Sequence, residues 1–85
     1  MASAIAGEVK QEVDKDIEEF GLFHSLYEGL STLRDEYKKL EDAILWDAPK
    51  TGDTTCVRDK AIQVAAMATK IAMQTSPVPI DLPHE

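Results

Sequence analysis

The sequence predicts an all-α fold: one three-helix domain that joins further copies of itself in an oligomeric helical bundle. Three observations lead there. Apolar residues recur at three- and four-residue steps in three separate segments, which is the period of a helix with one packed face. Aromatic residues make up only 6% of the chain while alanine is abundant, a composition suited to close helix packing rather than a sheet sandwich. Finally, 85 residues allow one small domain, which has neither a disulfide pair nor a metal-ligand cluster to staple it. Self-association is the remaining route to a larger core.

The first helix is expected over about residues 4–20. Ile5, Val9, Val13 and Ile17 recur every four residues, with Phe20 three further on. The other faces carry Glu8, Lys10, Glu12, Asp14, Lys15, Asp16, Glu18 and Glu19, a solvated acidic surface that requires no ligand. Gly21 stands where a helix ends in a left-handed residue.

A second helix is expected over about residues 26–47. Ser25-Leu26-Tyr27-Glu28 has the form of a capping box, in which side chains satisfy the orphan backbone donors of the first turn. Leu26, Leu30, Leu33, Tyr37, Leu40 and Ile44 then follow at 4-3-4-3-4 spacing as a packing seam. Pro49 should stop this helix near Trp46 and Asp47, since the residue before a proline is pushed out of helical geometry.

Lys50 to Thr55 reads as a polar turn supplying the N-cap of a third helix over about residues 56–74. Val57, Ala61, Val64, Ala68 and Ile71 form one stripe on it, while Ile62, Ala66 and Met73 lie almost opposite. A three-helix monomer uses one face. The face of Ile62, Ala66 and Met73 is therefore expected to meet another subunit in a dimer or tetramer. Residues 1–76 form the domain, and 77–85, with Pro77, Pro79 and Pro83, an extended tail. That tail is either a disordered end or an arm carrying Val78, Ile80 and Leu82 to a neighbour.

Nine lysines and arginines against sixteen aspartates and glutamates give a formal net charge of -7. Such a balance excludes nucleic-acid backbone as the main partner, because phosphate neutralisation needs clustered cations. It equally disfavours an anionic membrane surface, and no apolar run approaches the roughly 20 residues that span a bilayer. The N-terminus has no basic segment followed by an apolar run, so it does not read as a secretory signal. With Cys56 alone there is no internal disulfide, and a reducing cytoplasm is the expected compartment. Cys56 itself reads as a small residue near a helix start rather than a reactive thiol.

Three stretches resemble a known family. Gly21-Leu-Phe23-His-Ser25-Leu-Tyr-Glu28-Gly29, Leu33-Arg-Asp35-Glu36-Tyr-Lys-Lys39-Leu40 and Ala61-Ile-Gln63-Val-Ala65-Ala66-Met67-Ala68 are similar to segments of the MazG-like all-α nucleotide pyrophosphohydrolases, across about residues 17–74. The resemblance implies cleavage of nucleoside triphosphates between the α and β phosphates. It also implies a Mg²⁺ site built by an EExxE motif on one helix and ExxD on another, so that carboxylates at i and i+3 project into the bundle together.

Here Asp35-Glu36-Tyr-Lys-Lys39 stands at EExxE and Lys60-Ala-Ile-Gln63 at ExxD. Of the four ligand positions only Glu36 keeps its acid. One carboxylate, two ammoniums (Lys39, Lys60) and one amide (Gln63) leave the four at a formal +1, and an ammonium repels a cation rather than coordinating it. No cofactor is expected in such a site; Mg²⁺ would be one only if catalysis survives.

Three readings of these positions stay open. In the first, Glu36 and Lys60 form an ion pair at the former metal position and Lys39 pairs with Asp35; the domain is then a structural or interaction module. In the second, Lys39 and Lys60 hold phosphate oxygens and the domain binds nucleotides. In the third, an unorthodox Mg²⁺-dependent pyrophosphohydrolase persists. Gly29, Thr32 and Ala43 flank Glu36 with small side chains that leave room. Trp46 either stacks on a nucleobase or closes the bundle end, and His24 reads as an exposed turn residue.

Overall fold

A computed structural model describes residues 2–75, with side chains from Ala4 onward. The tail over 77–85 lies outside the described residues. The architecture is all-helical: α1 spans Ala2–Phe20, α2 Leu26–Asp42, a π-helical turn Ala43–Asp47, α3 Ala48–Thr51 and α4 Thr55–Thr75. Both α1 and α2 pack on α4, which is the central helix. No described helix is long and apolar enough to cross a membrane.

Local chemistry sets the boundaries. Gly21 takes φ 78° and its N–H donates to the Ile17 carbonyl at 2.7 Å, closing α1 in a conformation that a Cβ would strain. Ser25 Oγ accepts from the Glu28 N–H at 3.1 Å and starts α2. The Glu28 carboxylate returns one residue further back than a standard capping box requires, accepting from the His24 N–H at 2.7 Å. The intervening loop is held to α4 by one amide. The Phe23 N–H donates to Gln74 Oε1 at 2.8 Å, and Gln74 Nε2 donates to the Phe23 carbonyl at 2.9 Å.

The second helix does not end before Pro49. Ala43–Asp47 widens into a π-helical turn, and the chain continues as α3 with Pro49 in its first turn. Asp47 and Ala48 keep right-handed helical geometry ahead of it, so the helical run is unbroken and its widened turn comes immediately before the residue that can donate no N–H. Gly52, at φ 73°, is the actual stop. Asp53 Oδ1 then accepts from the Thr55 N–H at 2.8 Å as α4 begins.

The core is small. Val13 from α1, Ala43 from the π-helical turn, and Ile62, Ala66 and Met67 from α4 are the buried apolar residues among those described. Val9, Ile17, Phe23, Leu33 and Met73 pack partly buried around Val13, Ala66 and Met67. Ile5 and Phe20, at the ends of the α1 stripe, stay exposed.

Helix α4 corrects the expected interface. Its Ile62 and Ala66 are buried within the chain, and Met73 packs on that same core, while Ala61 and Ala68 of the other stripe face outward. The face expected to meet another subunit is thus occupied by the chain's own helices. The physical reason is that α4 meets two neighbours, α1 and α2, and so uses a wide arc of its surface internally.

Candidate functional site

An open cleft of about 620 Å³ lies where α1, α2 and α4 meet. Its walls take Glu36 and Lys39 from α2 and Lys60 and Gln63 from α4, so all four residues at the motif positions line one cavity. Helix periodicity produces this: i and i+3 on each of two packed helices fall on neighbouring faces. Helix α1 closes the third side with Glu8, Glu12 and Lys15.

The charges in the cleft are already partly committed. Glu36, with a side chain 18% exposed, is paired with Lys39 Nζ at 3.3 Å. That corrects two expected contacts. Lys39 turns to Glu36 at i-3 rather than to Asp35, and the Glu36–Lys60 pair does not form. A half-buried carboxylate gains more from a counter-ion than an exposed one does, and Asp35 is exposed. Lys60 is half-buried and forms no ion pair among the described residues. At the rim, Arg58 binds Glu8 through both guanidinium nitrogens, with Nη1 to Oε1 at 2.7 Å. This fork-on-fork contact ties α4 to α1 and holds the Glu8 carboxyl below the usual carboxylate range.

The residues expected to flank the site lie elsewhere. Asp35 is on the solvent side of α2, outside the cleft. Trp46, on the π-helical turn, is 61% exposed and away from it. Gly29 is buried, but against Phe23 and Ile71, where a Cβ would come within 3.0 Å of both side chains. It provides close packing of α2 on α4, not room for a ligand.

A second, more apolar cleft of about 460 Å³ adjoins the first and shares Glu36 and Gln63 with it. Phe20, Leu22, Phe23 and Met67 supply its apolar lining, and Lys70 lies at its base. Lys70 is 1% exposed, and its ammonium is fully engaged. It pairs with Asp16, donates to the Gly21 carbonyl at 3.0 Å, and sits 4.2 Å from the centroid of the Phe23 ring. Sequence reasoning missed this residue. The available signal is the four-residue series Ile62, Ala66, Lys70, which puts the lysine on the buried stripe.

The residues present do not fit Mg²⁺. That ion takes near-octahedral oxygen coordination, whereas the four motif positions offer one carboxylate, already bonded to Lys39, beside a second lysine and an amide. Among the described residues no three histidine, cysteine or acidic side chains come together as a metal-binding group. Comparison with protein-family models, with curated proteins and with solved structures finds no match to this chain.

Proposed function

We propose that the chain is a MazG-like helical module whose metal-dependent hydrolysis has been lost and which acts as a structural or interaction protein. One observation carries this reading: the single carboxylate retained at the four motif positions, Glu36, is held by Lys39 at 3.3 Å, with Lys60 in the same cleft. Two ammoniums there oppose a divalent cation by like-charge repulsion and supply no lone pair to coordinate it. Pyrophosphate release in this family draws on that cation, so its hydrolysis is lost with it.

A second reading has one observation in its favour. Lys60 forms no ion pair among the described residues, and with Lys15 and Lys39 it could receive a phosphate group. Against this, Glu12 and Asp59 line the same cleft and would repel a nucleotide's phosphates.

The test is to incubate the protein with mixed ribo- and deoxyribonucleoside triphosphates, with and without Mg²⁺, and to follow pyrophosphate release and thermal shift. The expected result is neither release nor shift. Mg²⁺-dependent release that disappears in Glu36→Gln would overturn the proposal; a thermal shift without release would favour the phosphate-binding reading.

A further inference from the structure

The apolar cleft above Lys70 has a polar end and an apolar end. Its volume of about 460 Å³ falls within the roughly 300–1,000 Å³ of small-molecule sites. Thr32 and Glu36 stand one turn apart on α2, Gln63 and Met67 one turn apart on α4, and all four line it. Thr32 and Gln63 are half-buried, and neither side chain forms a hydrogen bond among the described residues. Glu36 holds Lys39 through Oε2, which leaves Oε1 without a partner among the described residues.

Toward the loop between α1 and α2 the lining becomes apolar. Met67 lies about 6 Å along α4 from Gln63, and Lys70 about 10 Å. Phe23, Leu22 and Phe20 complete that end. Leu22 is 50% exposed and Phe20 71%, so both offer apolar surface to whatever enters the cleft.

Charge decides what enters. Asp16, Glu28 and Glu36 line the cleft, against the ammonium of Lys70. Lys70 directs its three donors at Asp16, the Gly21 carbonyl and the Phe23 ring, so none remains for an anion. Lys39 lines the polar cleft and not this one. An anionic guest meets the carboxylates of Glu28 and Glu36 with no cation released to it, whereas a cationic guest gains from both.

We infer that this cleft binds a small primary monoamine, with its ammonium on Glu36, Gln63 and Thr32 and its apolar body over Met67 and Phe23. A primary ammonium has three N–H donors, and the polar end offers it three acceptors: Glu36 Oε1, the Gln63 amide oxygen and the Thr32 hydroxyl. The distance from Gln63 to the loop end fits a body about 6–10 Å long. A diamine of that length is disfavoured, because its second ammonium would lie among apolar side chains. The inference goes beyond the loss of hydrolysis and rests on that reading only in needing Glu36 clear of a metal.

The experiment is a titration of the isotope-labelled full chain with phenethylamine, hydrocinnamate and methylamine, followed by backbone amide chemical shifts with EDTA present. Phenethylamine is expected to shift Thr32, Glu36, Gln63 and Met67 saturably at millimolar concentration or below. Hydrocinnamate, of similar size with the charge reversed, and methylamine, which lacks the body, should each bind at least about tenfold more weakly. Glu36→Gln should weaken phenethylamine about tenfold, and Lys39→Met, which removes the competing ammonium, should tighten it. Leu22→Ser tests the apolar end without touching the core, and should weaken binding several-fold. Absence of saturable shifts, equal binding of hydrocinnamate, or an affinity unchanged in Glu36→Gln overturns the site. Shifts confined to other residues mark adventitious binding and overturn it too. A repeat in Mg²⁺ separates the two readings. Unchanged affinity is expected, whereas displacement of phenethylamine by Mg²⁺ overturns the metal-free reading of Glu36 and leaves the amine site standing.

Discussion

Lys70 on α4 and Asp16 on α1 form a buried ion pair that joins the central helix to the end of the first. The two partners are unequally placed: the Lys70 side chain is 2% exposed and that of Asp16 19%. Removing either one therefore has a different cost. Asp16→Ala leaves a buried ammonium with only the Gly21 carbonyl and the Phe23 ring, and is expected to cost about 3 kcal/mol. Lys70→Met keeps the packing volume and leaves a carboxylate that can reach water, so about 1 kcal/mol is expected. Urea denaturation of both variants checks the order. Equal losses would mean that the pair is not what the burial indicates.

Two glycines in helices should respond to alanine with opposite signs. At Gly7 nothing lies within 4 Å of the position a Cβ would take, so Gly7→Ala gains helix propensity freely, by about 0.5–1 kcal/mol. At Gly29 the new Cβ meets Ile71 Cγ1 and Phe23 Cδ2 at 3.0 Å. Phe23 cannot yield easily, because Gln74 grips its backbone and Lys70 covers its ring. Overpacking of about 1–3 kcal/mol then exceeds the propensity gain, and Gly29→Ala is expected to lose about 1 kcal/mol net. Denaturation midpoints of the two variants should move in opposite directions.

Acid should loosen the start of α2. The Glu28 carboxyl titrates below its ordinary range, chiefly because the His24 backbone N–H donates to it, with the imidazole adding to the effect. Glu8 and Asp53 are displaced in the same direction, by Arg58 and by the Thr55 N–H respectively. A carboxyl whose pKa is lower folded than unfolded stabilises the protein above the unfolded value. That contribution disappears as pH falls through the folded one. Melting temperature is thus expected to decline from about pH 5 downward, and Glu28→Gln should flatten part of that decline. An unchanged slope in the variant would show that this carboxylate does not couple to folding.

The helices, the end of α1 and the start of α2 are legible in the chain because their signals are local. Gly21 closes α1 and Ser25 caps α2 where turn chemistry places them. The family resemblance, not the residue pattern, singles out Glu36, Lys39, Lys60 and Gln63, and helix periodicity accounts for the four lining one cleft. The choice of faces on α4 is not legible. Alanine on every side gives that helix little amphipathic contrast, so the pattern turns Ile62, Ala66 and Met73 outward although they pack inward. Lys70 is hidden for another reason: a lysine on a buried stripe is tolerated only with partners distant in sequence, here Asp16 and Gly21. The continuation through Pro49 depends on a π-helical turn that no residue pattern announces.

The most direct measurement of the central claim is a calorimetric titration of the folded protein with Mg²⁺. The wild type is expected to bind none at millimolar concentration. Lys39→Glu, Lys60→Glu and Gln63→Asp combined should create a Mg²⁺ site with Glu36, since all four positions line one cleft. Mg²⁺ binding by the wild type that is abolished in Glu36→Gln would contradict the account.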